Sequence, residues 1–233
     1  MNEHFLSKRL ECVGSYVPNQ ARLADIGSDH AYLPVHLMLN KTISYAVAGE
    51  VVDGPYQSAK KQVERLGLAD WIKVRLANGL AAVLPEDAIQ VVTIAGMGGA
   101  LIASILENGR LQGQLQGVQR LILQPNVGEQ GLRIWLMQHG YRIVAEDILE
   151  EQRKIYEIIV AEPTLEPVNY SEKERLFGPL LLQQKSPVFL KKWQHEKKQK
   201  ETVKANLLQA QTIPQEKLAQ IDRELSLIKE LFA

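Results

Sequence analysis

The chain has 233 residues, a length that accommodates one large domain or one domain with an appendage. Hydrophobic residues make up 45% of it and charged residues 23%, which is typical of a globular protein and excludes a disordered or fibrous one. The 27 basic and 27 acidic residues balance, so no overall charge indicates a nucleic acid or a membrane as partner.

The N-terminal segment predicts a short helix and no targeting signal. Phe5, Leu6, Leu10 and Val13 have helical spacing and are expected to pack on the core. The segment carries charges throughout, unlike a signal peptide, and no run of about 18 apolar residues predicts a membrane span. The single cysteine, Cys12, excludes an internal disulfide and favours a cytoplasmic location. The histidines have no ligand spacing with it, so we expect no metal site.

Seven apolar, β-rich runs follow: ARLADIG, ISYAVAGEV, IKVRLANG, IQVVTIAG, VQRLILQPN, YRIVAEDIL and KIYEIIVAEP. Helix-length segments between the first six, for instance residues 34–40, 55–66, 101–107 and 131–140, predict βαβ crossovers and a mostly parallel sheet with both faces covered. The last two runs are separated by only a few residues, which predicts an antiparallel hairpin. This outline, a seven-stranded mostly parallel α/β sheet, is typical of a class I Rossmann-like methyltransferase.

Beyond Pro163 the sequence predicts a linker, a short helix and a helical hairpin. Ser171 and Glu174 have the spacing of a capping box. A charged helix is expected from Pro187 to about residue 211, and Thr212 is a suitable N-cap for a second one. Apolar residues of the second helix have the spacing of a coiled-coil seam and are expected to face the first helix: Leu218, Ile221, Leu225 and Ile228 against Leu190, Trp193 and Leu207. We therefore expect two domains, residues 1–165 and 166–233.

Positive charge concentrates in the first helix of the hairpin, where residues 185–204 hold seven lysines against two glutamates. Two interpretations stay open. The lysines could form a solvated helical surface, or they could contact the phosphate backbone of a nucleic acid. The candidates for the second role are Lys191, Lys192, Lys197 and Lys198. We expect a monomer, although the coiled coil could also join two copies.

Ligands of open α/β sheets bind beyond the carboxyl ends of the strands, so the loops after the first five runs form the candidate site. The first loop has one glycine, Gly27, between Asp25 and Asp29. This pattern is neither the full dinucleotide fingerprint nor a P-loop. Two carboxylates favour a ligand with an ammonium group or hydroxyls, such as S-adenosylmethionine, over one with phosphates. A turn with an aspartate N-cap is the structural alternative.

The later loops add one polar or glycine-rich element each. Glu50 ends the second run, where a carboxylate can accept hydrogen bonds from both ribose hydroxyls of a nucleoside. Asn78 ends the third, where a side-chain amide can bond to an adenine edge. The fourth run ends in AGMGG, whose glycines let the backbone approach a ligand closely, and the fifth ends in QPN.

Several of these segments together resemble a known family. The runs DIGSDHAYLP, IAGMGG, LQPN and KIYEIIVAE, with the N-terminal LSKRL and the C-terminal hairpin, are similar to those of the bacterial tRNA adenine-N1 methyltransferases that modify adenine 22. The resemblance covers nearly the whole chain. It implies a catalytic domain that uses S-adenosylmethionine and a helical appendage that helps to hold tRNA.

The resemblance also implies roles for single residues. The first loop would surround the methionine moiety, Glu50 would hold the ribose, Asn78 with Gly79 would contact the adenine, and the AGMG segment would line the mouth of the site. Glu50 and Asn78 stand where aspartate is frequent in the family. The implied cofactor-binding residues are Arg9, Asp25, Gly27, His30, Glu50, Asn78, Gly79, Ala95, Gly96 and Met97.

The implied reaction needs alignment more than it needs a base, because N1 of neutral adenine already carries a lone pair. The candidates to stabilise the cationic product are Asp29 and the backbone carbonyls of the AGM segment. Asn126 is the candidate to form hydrogen bonds with the Watson–Crick edge of the adenine. The nucleotide has to be turned out of its helix, and the hairpin would grip the tRNA meanwhile. The alternatives are a methyltransferase of the same fold with another target and a non-catalytic, nucleotide-binding coiled-coil scaffold.

Overall fold

The structure, a computed structural model, describes residues 5–209 and 214–232. The chain forms two compact units, Met1–Leu180 and Leu181–Ala233, which are described separately below. The expected N-cap Thr212 lies outside the described residues. No helix in the described part of the chain combines the length and the apolar character that crossing a bilayer requires.

The first unit is a seven-stranded sheet with helices on both faces. Its strands are β1 Ala21–Ile26, β2 Ile43–Glu50, β3 Ile72–Leu76, β4 Val91–Gly98, β5 Arg120–Val127, β6 Tyr141–Glu151 and β7 Lys154–Pro163. Its helices are α1 Lys8–Ser15, α2 Tyr32–Leu39, α3 Asp53–Arg65, α4 Gly99–Leu111, α5 Glu129–Gln138 and α6 Glu172–Phe177. All seven predicted strands are present, and the predicted fold class is confirmed.

The strand order is β3-β2-β1-β4-β5-β7-β6. The first five strands are parallel, whereas β7 is antiparallel to both β5 and β6. The predicted antiparallel hairpin is therefore confirmed, and its two-residue turn is Gln152 and Arg153, both with positive φ. Because β6 runs in the same direction as β5, the carboxyl ends of β1 to β6 all lie at one edge of the sheet.

Apolar side chains of the strands alternate between two cores, one on each face of the sheet. In β5, Leu121 and Leu123 join the core that contains residues of α4 and α5, while Ile122 joins the core that contains residues of α1, α2 and α3. The alternation follows from the two-residue period of a strand. Leu6 and Val13 are buried as expected, but Phe5 is 75% exposed because α1 begins only at Lys8.

The connection from β3 to β4 differs from the predicted pattern. Two short 3-10 segments, Gly79–Ala82 and Pro85–Asp87, stand where a helix-length crossover was expected. Gly79 has a φ of 57°, a left-handed conformation that an α-helix excludes, and Pro85 lacks the backbone N–H that a helix interior needs.

A buried ion network attaches α6 and the residues after it to the sheet. Arg133 is fully buried and donates to the carboxylates of Glu146 at 2.8 Å and Glu157 at 2.6 Å. It also donates to the carbonyl oxygen of Leu176 at 3.3 Å, and Glu146 accepts the backbone N–H of Leu180 at 2.9 Å. These bonds lie within the first unit, which extends to Leu180, whereas the sequence placed a boundary after residue 165.

Charge balance explains how this network tolerates burial. Burial alone would lower the pKa of Arg133, but the charges of Glu157 and Glu146 hold that pKa above its usual value. The guanidinium therefore stays charged.

The predicted capping box at the start of α6 is confirmed, since Ser171 and Glu174 each accept the backbone N–H of the other.

The second unit contains α7 Leu181–Gln184, α8 Pro187–Leu208 and α9 Gln215–Leu231. Its long helices carry buried apolar residues, which are Phe189 and Trp193 in α8 and Ile221, Leu225 and Ile228 in α9. Two ion pairs join the helices, Lys200 to Glu224 at 2.6 Å and Lys204 to Asp222 at 2.5 Å. The helical hairpin is thus present, and three of the four predicted seam residues of α9 are buried.

Removing the charge of Arg133 tests the buried network. We expect Arg133→Met to lower the free energy of unfolding by about 3–5 kcal/mol, because two buried carboxylates lose their partner. Arg142→Met is the matched control, since Arg142 pairs with Glu166 at the surface, and we expect it to cost less than about 1 kcal/mol. Urea unfolding monitored by circular dichroism measures both. Equal losses in the two variants would contradict the role assigned to the network.

Candidate active site

A cavity of about 230 Å³ opens at the carboxyl edge of the sheet. Three elements form its wall: helix α1, the turn after β1 with the start of α2, and the end of β4. The lining residues are Arg9, Leu10, Asp25, Gly27, Ser28, Asp29, Leu33, Ala95, Gly96 and Met97. The structure thus brings together predicted residues that are up to 88 positions apart in the sequence (Arg9 and Met97).

Asp25 is the buried carboxylate of this cavity, with 4% of its surface exposed. The hydroxyls of Ser28 and Thr93 each donate to it at 2.6 Å, one to each carboxylate oxygen. Burial raises the pKa of Asp25 above its usual value, although both hydrogen bonds and the charge of Arg9 oppose the rise. The carboxylate is therefore fixed in orientation and keeps further lone pairs for a ligand.

The turn after β1 adopts an uncommon backbone conformation. Gly27, Asp29, His30 and Ala31 all have φ between 41° and 71°. For the three that are not glycine, this left-handed conformation costs about 1–2 kcal/mol each. The carboxylate of Glu50 accepts the N–H of Asp29 at 2.5 Å, which helps to hold the turn. Strain of this kind is commonly retained where function requires it.

Gly27 suits this turn chiefly through its backbone conformation. A Cβ here would meet the terminal methyl group of Met97, a flexible end that could move aside, but a φ of 71° strains any other residue. Gly27 and Met97 lie next to each other in the lining of the cavity.

The remaining predicted residues lie at the same edge but outside this wall. Among the described residues, the cavity lining does not include Glu50, His30, Asn78, Gly79 or Asn126. Glu50 pairs with the last residue of β3, so the exposed Asn78 follows close beside it. Burial raises the pKa of Glu50, and the N–H of Asp29 opposes that rise. His30 stacks on Tyr32 with ring centroids 5.4 Å apart.

Gln124 is a site residue to which the sequence analysis assigned no role beyond its place in the QPN motif. Its side chain is fully buried, and its oxygen accepts hydrogen bonds from Arg9 at 2.6 Å and from the N–H of Gly96 at 3.0 Å. The guanidinium of Arg9 also lies 5.5 Å from the centre of the Tyr156 ring. The sequence feature that could have indicated Gln124 is the single amide side chain at the end of the otherwise apolar run LILQ.

The four candidate lysines lie in α8 of the second unit but do not share one face. Lys191 and Lys198 are seven positions apart, about two helical turns, so they project from one side, and both are exposed. Lys192 and Lys197 fall on the flanks of that side and are half-buried. Of the other lysines in the predicted cluster, Lys200 and Lys204 pair with acidic residues of α9.

The donor set of the cavity suits a zwitterionic amino-acid group. The guanidinium of Arg9 can bind a carboxylate, and the carboxylates of Asp25 and Asp29 can bind an ammonium group. Within residues 5–209 and 214–232, no three His, Cys, Asp or Glu side chains come together as metal ligands. A sheet of this order, with an acidic glycine turn after β1 and a carboxylate at the end of β2, defines a class I Rossmann-like methyltransferase.

Comparison with known proteins narrows the class to one family. The family model TrmK, tRNA (adenine(22)-N(1))-methyltransferase, matches residues 23–230. A Bacillus subtilis (strain 168) protein described as tRNA (adenine(22)-N(1))-methyltransferase is 46% identical over 99% of this chain and 98% of its own length. The chain therefore belongs to the tRNA (adenine(22)-N(1))-methyltransferase family, as the resemblance predicted, and the predicted activity is that of this family.

Solved structures agree with this assignment. The crystal structure of the B. subtilis M1A22 tRNA methyltransferase TrmK has a TM-score of 0.90 and 43% identity, covering 99% of this chain and 100% of that one. A Streptococcus pneumoniae protein in complex with S-adenosyl-L-methionine has a TM-score of 0.88 and 50% identity over 98% of this chain and 100% of its own. M. capricolum TrmK, in complex with S-adenosyl-homocysteine, has a TM-score of 0.84 and 30% identity over 97% of both chains.

The raised pKa values of Asp25 and Glu50 predict that cofactor binding depends on pH. A carboxylate with a raised pKa takes up its proton at a higher pH than usual. As the pH falls, Asp25 should therefore attract an ammonium group less and Glu50 should become a poorer acceptor for ribose hydroxyls, so the Kd for S-adenosylmethionine should rise. Asp25→Asn should raise the Kd at neutral pH at least about tenfold and weaken its pH dependence. Isothermal titration calorimetry measures both.

The control for this prediction is Asp70→Asn at an exposed position, which should bind as the unmodified chain does. An Asp25→Asn variant with the affinity and the pH profile of the unmodified chain would contradict the role assigned to Asp25.

Proposed function

We propose that this chain transfers a methyl group from S-adenosylmethionine to N1 of adenine 22 in tRNA, and that the cavity at the carboxyl edge of the sheet is where it does so. The observation that carries the proposal is the placement of one guanidinium and two carboxylates around a cavity walled by Gly27 and Gly96. Membership of the family supports the same reaction.

The cofactor-binding roles follow from charge and position. Arg9 binds the carboxylate of the methionine moiety, and Asp25 and Asp29 bind its ammonium group, with His30 closing this side of the site. Glu50 accepts hydrogen bonds from the ribose hydroxyls. Asn78 and Gly79 contact the adenine, because they follow β3 beside Glu50.

The adjoining end of β4 contributes to the mouth of the site. Ala95, Gly96 and Met97 line the cavity on that side, and positive φ at Gly96 turns the backbone there. Gly96 has no side chain, so a ligand can approach its backbone closely.

The residues of the chain need only align the adenine with the methyl group and stabilise the charge of the methylated product. When bound, S-adenosylmethionine supplies a methyl group on a positively charged sulfur. Adenine N1 is a lone-pair donor at neutral pH, so no residue has to act as base. The exposed carboxylate of Asp29 stabilises the positive charge left on the methylated base, as do the carbonyls of Ala95 and Met97. Asn126 bonds to the amino group of the base and leaves N1 free.

The second unit is proposed to hold the tRNA. A nucleotide whose N1 is paired or stacked must leave its helix to be methylated, which requires a grip on the rest of the RNA. Lys191 and Lys198 contact phosphates from the exposed face of α8, and Lys192 and Lys197 add to them from its flanks. We propose that the chain acts as a monomer in the cytoplasm, with dimerisation through the hairpin as the alternative.

Charge reversal in α8 tests the tRNA grip. We expect Lys191→Glu combined with Lys198→Glu to raise the KM for tRNA about tenfold and to lower the salt dependence of tRNA binding, because phosphate contacts are lost. The Kd for S-adenosylmethionine should not change. The matched control is Lys60→Glu with Lys61→Glu, two exposed lysines of α3 in the first unit. Equal effects of the two double variants would contradict a specific role for α8.

Labelled methyl transfer tests the reaction itself. The chain is incubated with labelled S-adenosylmethionine and unmodified bacterial tRNA, and the product is digested to nucleosides. We expect label in 1-methyladenosine and none when adenine 22 is replaced by guanine. Label that persists in the replaced tRNA would favour a methyltransferase with another target position. Cofactor binding without transfer to any RNA would favour the non-catalytic scaffold.

A further inference from the structure

Gln124 lies in the second half of β5, outside the cavity lining, and joins two parts of the proposed site. Its amide is buried between strands and makes hydrogen bonds through both of its polar atoms. A buried amide with every bond satisfied is costly to disturb, because an unmade bond leaves a desolvated polar group. The inference below rests on the proposed function and assigns Gln124 a part in it.

Two of these bonds, with a third that Asn126 makes to Gly96, form a closed ring. The N–H of Gly96 donates to Oε1 of Gln124 at 3.0 Å, Nε2 of Gln124 donates to Oδ1 of Asn126 at 3.1 Å, and Nδ2 of Asn126 donates to the carbonyl of Gly96 at 2.7 Å. A backbone N–H can only donate and a backbone carbonyl can only accept. Gly96 therefore dictates the orientation of both side-chain amides, since any flip would set two donors or two acceptors against each other.

A fourth bond extends the ring to the cofactor side. Nη1 of Arg9 donates to Oε1 of Gln124 at 2.6 Å, while the guanidinium also lies over the Tyr156 ring. Gln124 thus contacts the cation proposed for the methionine carboxylate and the amide proposed for the target base. Arg9 lines the cavity, but Gln124 does not, so it acts through its neighbours.

We propose that Gln124 is a positioning residue that aligns Arg9 for the cofactor and fixes the amide of Asn126 for the target adenine. With Oδ1 of Asn126 held by Gln124 and Nδ2 held by Gly96, one lone pair of Oδ1 is left to accept from the amino group of adenine. A reversed amide would present N–H groups to that amino group instead. Alignment of the base and alignment of the methyl donor are therefore set by one side chain.

Two substitutions separate the two halves of this role. Gln124→Glu keeps acceptors for Arg9 and Gly96 but, when ionised, can donate neither to Asn126 nor to the carbonyl of Pro125, the two acceptors of the Gln124 amide nitrogen. We expect its Kd for S-adenosylmethionine to stay within about threefold of the unmodified chain and its kcat on tRNA to fall at least about tenfold. Gln124→Leu loses both halves, so its Kd should also rise about tenfold.

The pH profile supplies a readout that a merely structural role would not move. A protonated glutamate regains one O–H donor, which can serve Asn126, whereas the glutamine amide has two N–H donors and uses the second on the carbonyl of Pro125. The kcat of Gln124→Glu relative to the unmodified chain should therefore recover as the pH falls, whereas that of Gln124→Leu should stay low at every pH. Gln116→Glu, at an exposed position, is the control and should match the unmodified chain. Thermal unfolding checks that each variant is folded.

The outcomes are distinguishable. Gln124→Glu with unaltered kcat, or with a loss of kcat that is independent of pH and equal to its loss of cofactor affinity, would overturn the positioning role. An unmodified chain that methylates no tRNA would contradict the proposed function instead. Titration of each variant with S-adenosylmethionine would then still test whether Gln124 aligns Arg9. That role requires Gln124→Leu to bind S-adenosylmethionine more weakly than Gln124→Glu does. Equal binding by both variants would overturn it.

Discussion

The parallel arrangement of the first strands is the constraint on which the rest of the first unit depends. Strands β1 to β5 are parallel, so their carboxyl ends meet at one edge whatever their separation in sequence. That edge places Asp25 near Arg9, Glu50 beside the loop of Asn78, and Gln124 beneath Gly96. The site therefore follows from the order of the strands more than from any single motif.

Helix α1 completes the site from outside the sheet. The carboxylate of Glu151, at the end of β6, accepts the backbone N–H of Lys8 at 2.9 Å and stabilises the start of this helix. Arg9 then extends into the cavity and is held by Gln124 and Tyr156. The 27 basic and 27 acidic residues of the chain balance, but they are not evenly distributed. Carboxylates line the cavity of the first unit, and lysines are concentrated along α8 of the second.

Sequence patterns predicted the features that local physics controls. The seven apolar runs became strands because buried parallel strands need continuous apolar residues, and the two-residue gap at Gln152 permitted only a hairpin turn. The residues that follow the strands were predictable because all such loops share one edge. The hydrogen bonds of Gln124 were not predictable, since its partners Arg9 and Gly96 are remote in sequence and leave no periodic signal. The bonds that join Arg133 and Glu146 to each other and to Leu180 were not predictable for the same reason, because no local pattern connects these residues.

The most direct test of this account is a crystal structure of the chain with S-adenosylhomocysteine. We expect the homocysteine carboxylate at Arg9, its ammonium group at Asp25 and Asp29, the ribose hydroxyls at Glu50 and the adenine beside Asn78. Binding at another edge of the sheet, or at this edge with the ribose away from Glu50, would contradict this account.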